Sequence, residues 1–407
     1  MIDAASMKLA EQNCENSSEL QLLEGSVAFF PSVIHAIDNA QVSVQMETYI
    51  FDLTASGTHV ALAIEKAAKR GVPVKLIVDG YGTSNLPLEW HDRFKAAGVQ
   101  FLIFQPVVTL GFLIPSQWRR LHRKLCVVDG CIAYCGGINI LDDWHDPNYG
   151  ALNAPRFDFC VRVRGELAKD IQNAMNALWE RLTIDKSLNV TRVKHAIGTL
   201  PRVLKKHHWQ VNSHSKPGLS ALVLRDNITH RGRIERAYLK AIGDARTEII
   251  IANAYFVPGS KLRRALRLAA KRGVKVQLLL QGKYEYFMQY HAARPIYGAL
   301  LAAGAEIYEY DKSYLHAKVA VIDGVWATVG SSNLDPLSLL LAREANIVMQ
   351  DTDFAQSLRQ RLLVAMENEG KRVDATQMAN RPWTQRFNEM IAFAIMRTGL
   401  WLFGKRY

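Results

Sequence analysis

From Leu20 onward the chain alternates short apolar runs with longer amphipathic segments. Continuous or period-two apolar stretches predict strands at residues 42–51, 74–78 and 99–104. Between and before them, apolar positions at helical spacing predict helices at 31–40, 60–70 and 88–97. Gly71 and Gly98 follow the last two as stop signals. The same order returns later: a helix at 234–245, a strand at 248–257, a helix at 261–272 closed by Gly273, and a strand at 276–280. AAKRGV occurs at 67–72 and again at 269–274, and AAG at 96–98 and 302–304. Strands alternating with helices argue an α/β fold. A period of about 200 residues argues a duplicated domain and not a solenoid.

The sharpest repeat is LHRKLCVVDGCIAYCGGIN at 121–139 against LHAKVAVIDGVWATVGSSN at 315–333. His122, Lys124, Asp129, Gly136 and Asn139 recur at identical spacing as His316, Lys318, Asp323, Gly330 and Asn333. Five fixed positions at ~5% each match by chance with a probability on the order of 10⁻⁷ per starting position. Each copy reads as a buried strand, an Asp-Gly turn and a returning strand. Alternation puts the His and the Lys on one face. The small pairs Gly136-Gly137 and Gly330-Ser331 allow close approach to the backbone, and the Asn can donate an amide proton. An imidazole, an ammonium, backbone N–H groups and an amide together suit a tetrahedral oxyanion such as phosphate. Asp129 and Asp323 close strands at turns, where a structural role is favoured over direct chemistry.

Two imidazoles at one phosphate divide the work. One attacks phosphorus as a neutral nucleophile, and the other protonates the departing alkoxide and then serves as base. The near-symmetry leaves the order open, with His122 expected as nucleophile and His316 as acid. Each ring needs a partner on its other nitrogen, and Asp158 and Glu344 are the candidates. Lys124, Lys318, Asn139 and Asn333 would neutralise the non-bridging oxygens. With that much positive charge no metal or other cofactor is required, and no acidic cluster is present to hold one.

The double motif resembles that of the phospholipase D superfamily. Over roughly residues 20–400 the chain resembles most closely the bacterial cardiolipin synthases of the short B type. METYIFD at 46–52, VDGYGTS at 78–84, GGINI at 136–140, IIIANAYFVPG at 249–259 and VGSSNLDPLSL at 329–339 carry that likeness. The resemblance implies two α/β/α sandwich halves about a pseudo-twofold axis, with His122 and His316 facing each other and the downstream acids orienting them. It implies phosphatidyl transfer from phosphatidylglycerol to a second phospholipid through a phosphohistidine. It also implies peripheral attachment to the cytoplasmic side of the bacterial inner membrane. A hydrolytic phospholipase D would use the same residues with water as acceptor, and a nuclease is a further alternative. Arg343, a departure from the family's pattern, is expected to add a charge near the site.

Composition narrows the partners. Lys plus Arg exceed Asp plus Glu by 12 in 407 residues, which favours a polyanion. The apolar stretch at 107–118 beside the first motif and the apolar, Arg-flanked C-terminus favour an anionic phospholipid surface over nucleic acid. No obligate protein partner is indicated. The N-terminus lacks the apolar core of a signal peptide. Five cysteines without a paired spacing read as thiols. The expected division is a polar tail at 1–19, domains at 20–182 and 219–372, a basic linker at 183–218, and an amphipathic membrane-contact tail at 373–407.

Overall fold

The computed structural model describes residues 19–84, 86–107, 115–147, 149–194, 220–226, 230–283, 287–335, 341–379 and scattered positions between 382 and 394. The N-terminal tail, most of the apolar stretch at 107–118, the linker from 195 and the chain from 395 lie outside them.

In the first half the elements run β1 (Leu20–Glu24), α1 (Gly25–Asp38), β2 (Val44–Thr48), α2 (Gly57–Lys69), β3 (Val74–Asp79), α3 (Leu88–Ala97), β4 (Gln100–Phe104), β5 (Arg120–Leu121), β6 (Leu125–Val128), β7 (Ile132–Gly136), β8 (His145–Asp146), β9 (Gly150–Ala151), β10 (Phe159–Arg164) and α4 (Glu166–Lys194). The second half runs β11 (Ser220–Arg225), α5 (Arg233–Asp244), β12 (Glu248–Asn253), α6 (Ser260–Lys271), β13 (Lys275–Gln281), α7 (Phe287–Leu301), β14 (Glu306–Tyr310), β15 (Lys318–Ile322), β16 (Trp326–Gly330), β17 (Ala342–Gln350), α8 (Thr352–Asn368), β18 (Gly370–Arg372) and α9 (Ala375–Ala379).

The first sheet has the order β1-β10-β7-β6-β2-β3-β4, and the second β11-β17-β16-β15-β12-β13-β14-β18. Strand for strand the orders match, with β18 added at one edge. Strands β2, β3 and β4 are parallel, as are β12, β13 and β14, and the motif hairpins are antiparallel. This is the mixed α/β duplication that the pattern predicts. Helix α1 begins six residues earlier than expected, with Pro31 inside it. The carbonyl that Pro31 cannot serve belongs to Val27, which is exposed and open to water. Helix α4 continues through the first residues assigned to the linker.

Alternation along the strands sorts side chains between two cores. Val44, Met46, Cys126 and Val128 face α1, α2 and α3, while Leu125, Val127, Phe159 and Val161 face the other way. That second core is common to both halves: it also contains Val319, Val321, Val329 and Ile347, with α4 and α8. Burial on this scale, at ~25 cal/mol per Å² of apolar surface, makes the junction part of the folded core and not a contact between finished domains. Arg361 on α8 reaches Glu24 at the end of β1 and lies 4.5 Å from the centre of the Phe157 ring. Cys126, Cys135 and Cys160 are buried thiols.

Candidate active site

The motif strands meet across the junction. Strand β5 pairs in parallel with the start of β17, and the His122 N–H donates to the Arg343 carbonyl at 3.0 Å. The mirror arrangement joins Phe157 to Leu315, with the His316 N–H donating to the Phe157 carbonyl at 2.9 Å. Each histidine is therefore seated beside the acid of the other half. His122 Nδ1 lies 3.0 and 3.1 Å from the Glu344 carboxylate, and His316 Nδ1 lies 2.6 Å from Asp158 Oδ2. Sequence order pairs each acid with the motif it follows; the fold crosses them. A carboxylate on Nδ1 fixes the tautomer and leaves Nε2 for the ligand.

Lys124 and Lys318 are buried, and each ammonium donates to the carbonyl of its own histidine. Asn139 and Asn333 line the cleft with the two histidines. The Asn139 side-chain oxygen accepts the Ile50 N–H at 3.2 Å, so its amide group serves the cleft as a donor and not as an acceptor. The small residues pack against the acids instead of opening the backbone. A Cβ at Gly137 would run into the Asp158 carboxylate, and the Ser331 hydroxyl donates to Glu344 at 2.5 Å.

Asp129 and Asp323 stand apart from this group. Asp129 accepts the N–H groups of Gln41, Val42 and Ser43, and Asp323 those of Arg246, Thr247 and Glu248. Both have φ of +53° before a glycine of positive φ, the geometry of a tight hairpin turn. They tie the motif hairpin to the entry of β2 or β12. Arg343 is not among the residues that line the cleft: its guanidinium sits 5.9 Å from the centre of the Phe104 ring, and its charge acts on the buried Arg123 and Glu47.

The cleft encloses about 510 Å³. Its walls add residues that the motif did not indicate: Tyr49, Tyr81, Trp118, Arg120, Asp143, Asp146, Arg156 and Tyr255. Tyr49 lies 5.0 Å from the His122 ring, centre to centre. Most of the others come from the insertions after β4 and β7, where no periodicity marks them. A buried pair near the site, Arg123 with Glu47 at 2.7 and 2.9 Å, has Ala317 and Ala252 as its counterparts in the second half. Among the described residues no three His, Cys, Asp or Glu side chains converge to hold a metal ion.

Burial dominates the electrostatics. It lowers both imidazoles, His316 further because Lys318, Lys124, His122 and Arg156 add to the effect. The side chains of His122 and His316 keep 14% and 23% of their surface open to the cleft, so water moderates this until a ligand displaces it. Burial pushes Asp158 up to about 7 and Lys124 down to about 7. At 2.6 Å Asp158 and His316 share the proton that the pair takes up near neutrality.

The profile of the family described as "Cardiolipin synthase, PLD-like domain" matches residues 33–179 and 238–363, one stretch in each half. Cardiolipin synthase B of Salmonella typhi is 39% identical over 383 residues, covering 93% of this chain and 88% of the relative. Cardiolipin synthase B of Escherichia coli K12 is 37% identical over 392 residues, with the same coverage. In structure the chain is similar to a phosphatidylserine synthase of Haemophilus influenzae, with a TM-score of 0.65 at 13% identity over 95% of this chain and 99% of that one. It also resembles a polyphosphate kinase of Porphyromonas gingivalis, with a TM-score of 0.56 at 10% identity over 95% of this chain and 54% of that one. With both halves of its duplicated site inside the matched stretches, the chain belongs to the cardiolipin synthase family of phospholipase D-like phosphatidyltransferases.

Proposed function

We propose that the protein makes cardiolipin by moving a phosphatidyl group from phosphatidylglycerol to a second phospholipid, phosphatidylglycerol itself, with release of glycerol. The observation that carries this reading is the crossed pair of buried, acid-oriented imidazoles lining one cleft. His122, held neutral by burial, attacks phosphorus through Nε2. The bond from phosphorus to the glycerol oxygen breaks, a phosphohistidine forms, and the proton shared by His316 and Asp158 goes to the leaving glycerol. The acceptor hydroxyl then returns a proton to that pair as its oxygen attacks phosphorus and releases His122. Lys124, Lys318, Asn139 and Asn333 are assigned to the charge on the non-bridging oxygens.

The reading includes peripheral contact with a lipid surface. No helix among the described residues is long and apolar enough to cross a membrane. Trp383, Phe387, Met390 and Ile391 are helical and exposed at spacings that share one face.

The test uses full-length protein with phosphatidylglycerol vesicles in EDTA, followed by lipid mass spectrometry, beside His122→Ala and His316→Ala. Cardiolipin and free glycerol from the wild type alone are expected. Phosphatidic acid as the sole product would make the enzyme a hydrolase. Nicking of plasmid DNA without lipid turnover would make it a nuclease.

A further inference from the structure

The proposed transfer brings two phosphodiesters into one cleft, while the motif residues attend to the one that reacts. When the acceptor is itself a phospholipid, the product joins two phosphodiesters through a glycerol bridge. Six bonds of roughly 1.5 Å separate the two phosphorus atoms, so they lie at most about 7–8 Å apart. A second anion position is required at that distance.

Arg120 is the candidate for it. It precedes His122 by two residues along the chain that starts at β5, a backbone step of about 7 Å in extended chain. Both line the cleft. The Arg120 guanidinium lies 5.3 Å from the centre of the Tyr81 ring and donates to the carbonyls of Gln105 and Gln117. Among the described residues its ion-pair partner is Asp79, no closer than 3.7 Å. The Asp79 carboxylate already accepts the N–H groups of Leu121, Tyr81 and Gly82. The Arg120 charge is thus held by neutral carbonyls and one occupied anion, with 23% of the side chain exposed. Arg156, the other arginine on the cleft wall, is engaged by the Asp146 carboxylate at 2.5 Å and by the carbonyls of Asp142 and His145. In the second half the pair is exchanged: Tyr314 stands before Leu315 where Arg120 stands before Leu121, and Lys283 lies 5.8 Å from the centre of the Tyr314 ring, but of these cations only Arg120 is among the described residues that line the cleft. The cleft is two-sided in its histidines and one-sided in this charge.

We infer that Arg120, backed by the Tyr81 ring, binds the non-reacting phosphodiester of the acceptor lipid and so favours a lipid over water or a small alcohol as acceptor. The inference rests on the phosphatidyl-transfer reading above. A guanidinium can meet two phosphate oxygens at once and keep its stacking on an aromatic face.

Full-length protein is given phosphatidylglycerol vesicles with labelled glycerol in the buffer. Label entering phosphatidylglycerol reports transfer to an alcohol that carries no phosphate, and cardiolipin reports transfer to a lipid. Arg120→Gln is expected to lower the ratio of cardiolipin formed to glycerol exchanged about tenfold or more. Arg120→Lys should lower it less, since an ammonium keeps the charge and loses the fork. Both rates come from the same folded molecules, so the ratio does not depend on yield. A wild-type ratio in Arg120→Gln overturns the inference and leaves the transfer reading standing. A wild type that yields neither product overturns the transfer reading, and the subsite with it.

Discussion

Gly137 and Ser331 hold equivalent places in the two halves, and each is matched to the acid it faces. Asp158 lies where a Cβ on Gly137 would be, whereas the longer Glu344 leaves room for the Ser331 hydroxyl to donate to it. Gly137→Ala is expected to displace Asp158, cost ~1–3 kcal/mol of stability and cut turnover more than tenfold. Denaturant midpoints and initial rates on the same preparation check both. Lys124 shows a different balance. Burial pushes it down to about 7, so between there and the ordinary lysine range the folded protein binds fewer protons than the unfolded chain. Stability therefore rises with pH across that window, and the charge is carried at a cost below it. Lys124→Met should leave the melting temperature at pH 7 no lower while turnover falls ~10²–10³-fold. Since the ammonium of Lys124 and the proton of the Asp158–His316 pair are both lost as pH rises past about 7, kcat/KM in zwitterionic micelles should decline above that point. A flat profile to pH 9 would contradict this assignment. Residues of this kind were legible in the sequence because they recur in two copies. Tyr49, Arg120 and Arg156 were not, because each occurs once and no second copy marks it.

At the scale of elements, the sequence announced those whose ends carry local chemistry. Helix α3 ends at Ala97, where the sequence places its end, because Gly98 takes the left-handed conformation, φ +86°, that stops it. Strand β5 is two residues long and acquires its meaning from β17, more than 200 positions away, so no local pattern could reveal it. The crossing of acids and histidines follows from that pairing and was hidden with it. The turn aspartates are elements of the same kind: Asp129 fastens three N–H groups of the β2 entry. Asp129→Ala is expected to cost ~1–3 kcal/mol in urea unfolding, with kcat of the folded fraction kept within about twofold, a separation that a catalytic aspartate would not allow. The exposed helical face at Trp383 and Phe387 belongs here too. Trp383→Ser with Phe387→Ser should weaken sedimentation with anionic vesicles and leave hydrolysis or transfer of short-chain, monomeric lipid near the wild-type rate.

In the whole molecule, the halves share an apolar core and lend each other the partner of each histidine. Neither half can bury its inner sheet face or orient its own imidazole alone. Residues 1–194 expressed by themselves should aggregate or self-associate and show no turnover, and co-expression with 219–407 should restore activity; two soluble, monomeric, independently folded halves would refute the shared core. The crossed seating has a consequence for how activity depends on dilution. A chain with a single motif could complete such a site by meeting a second molecule, and its activity would fall away at low copy number. Fusing both motifs in one polypeptide replaces that encounter with an effective concentration fixed by the chain itself. Specific activity should therefore stay constant however scarce the protein becomes. The same fusion frees the two sides to diverge, so that one can carry Arg120 and the other Tyr314 around a pair of histidines that stay alike.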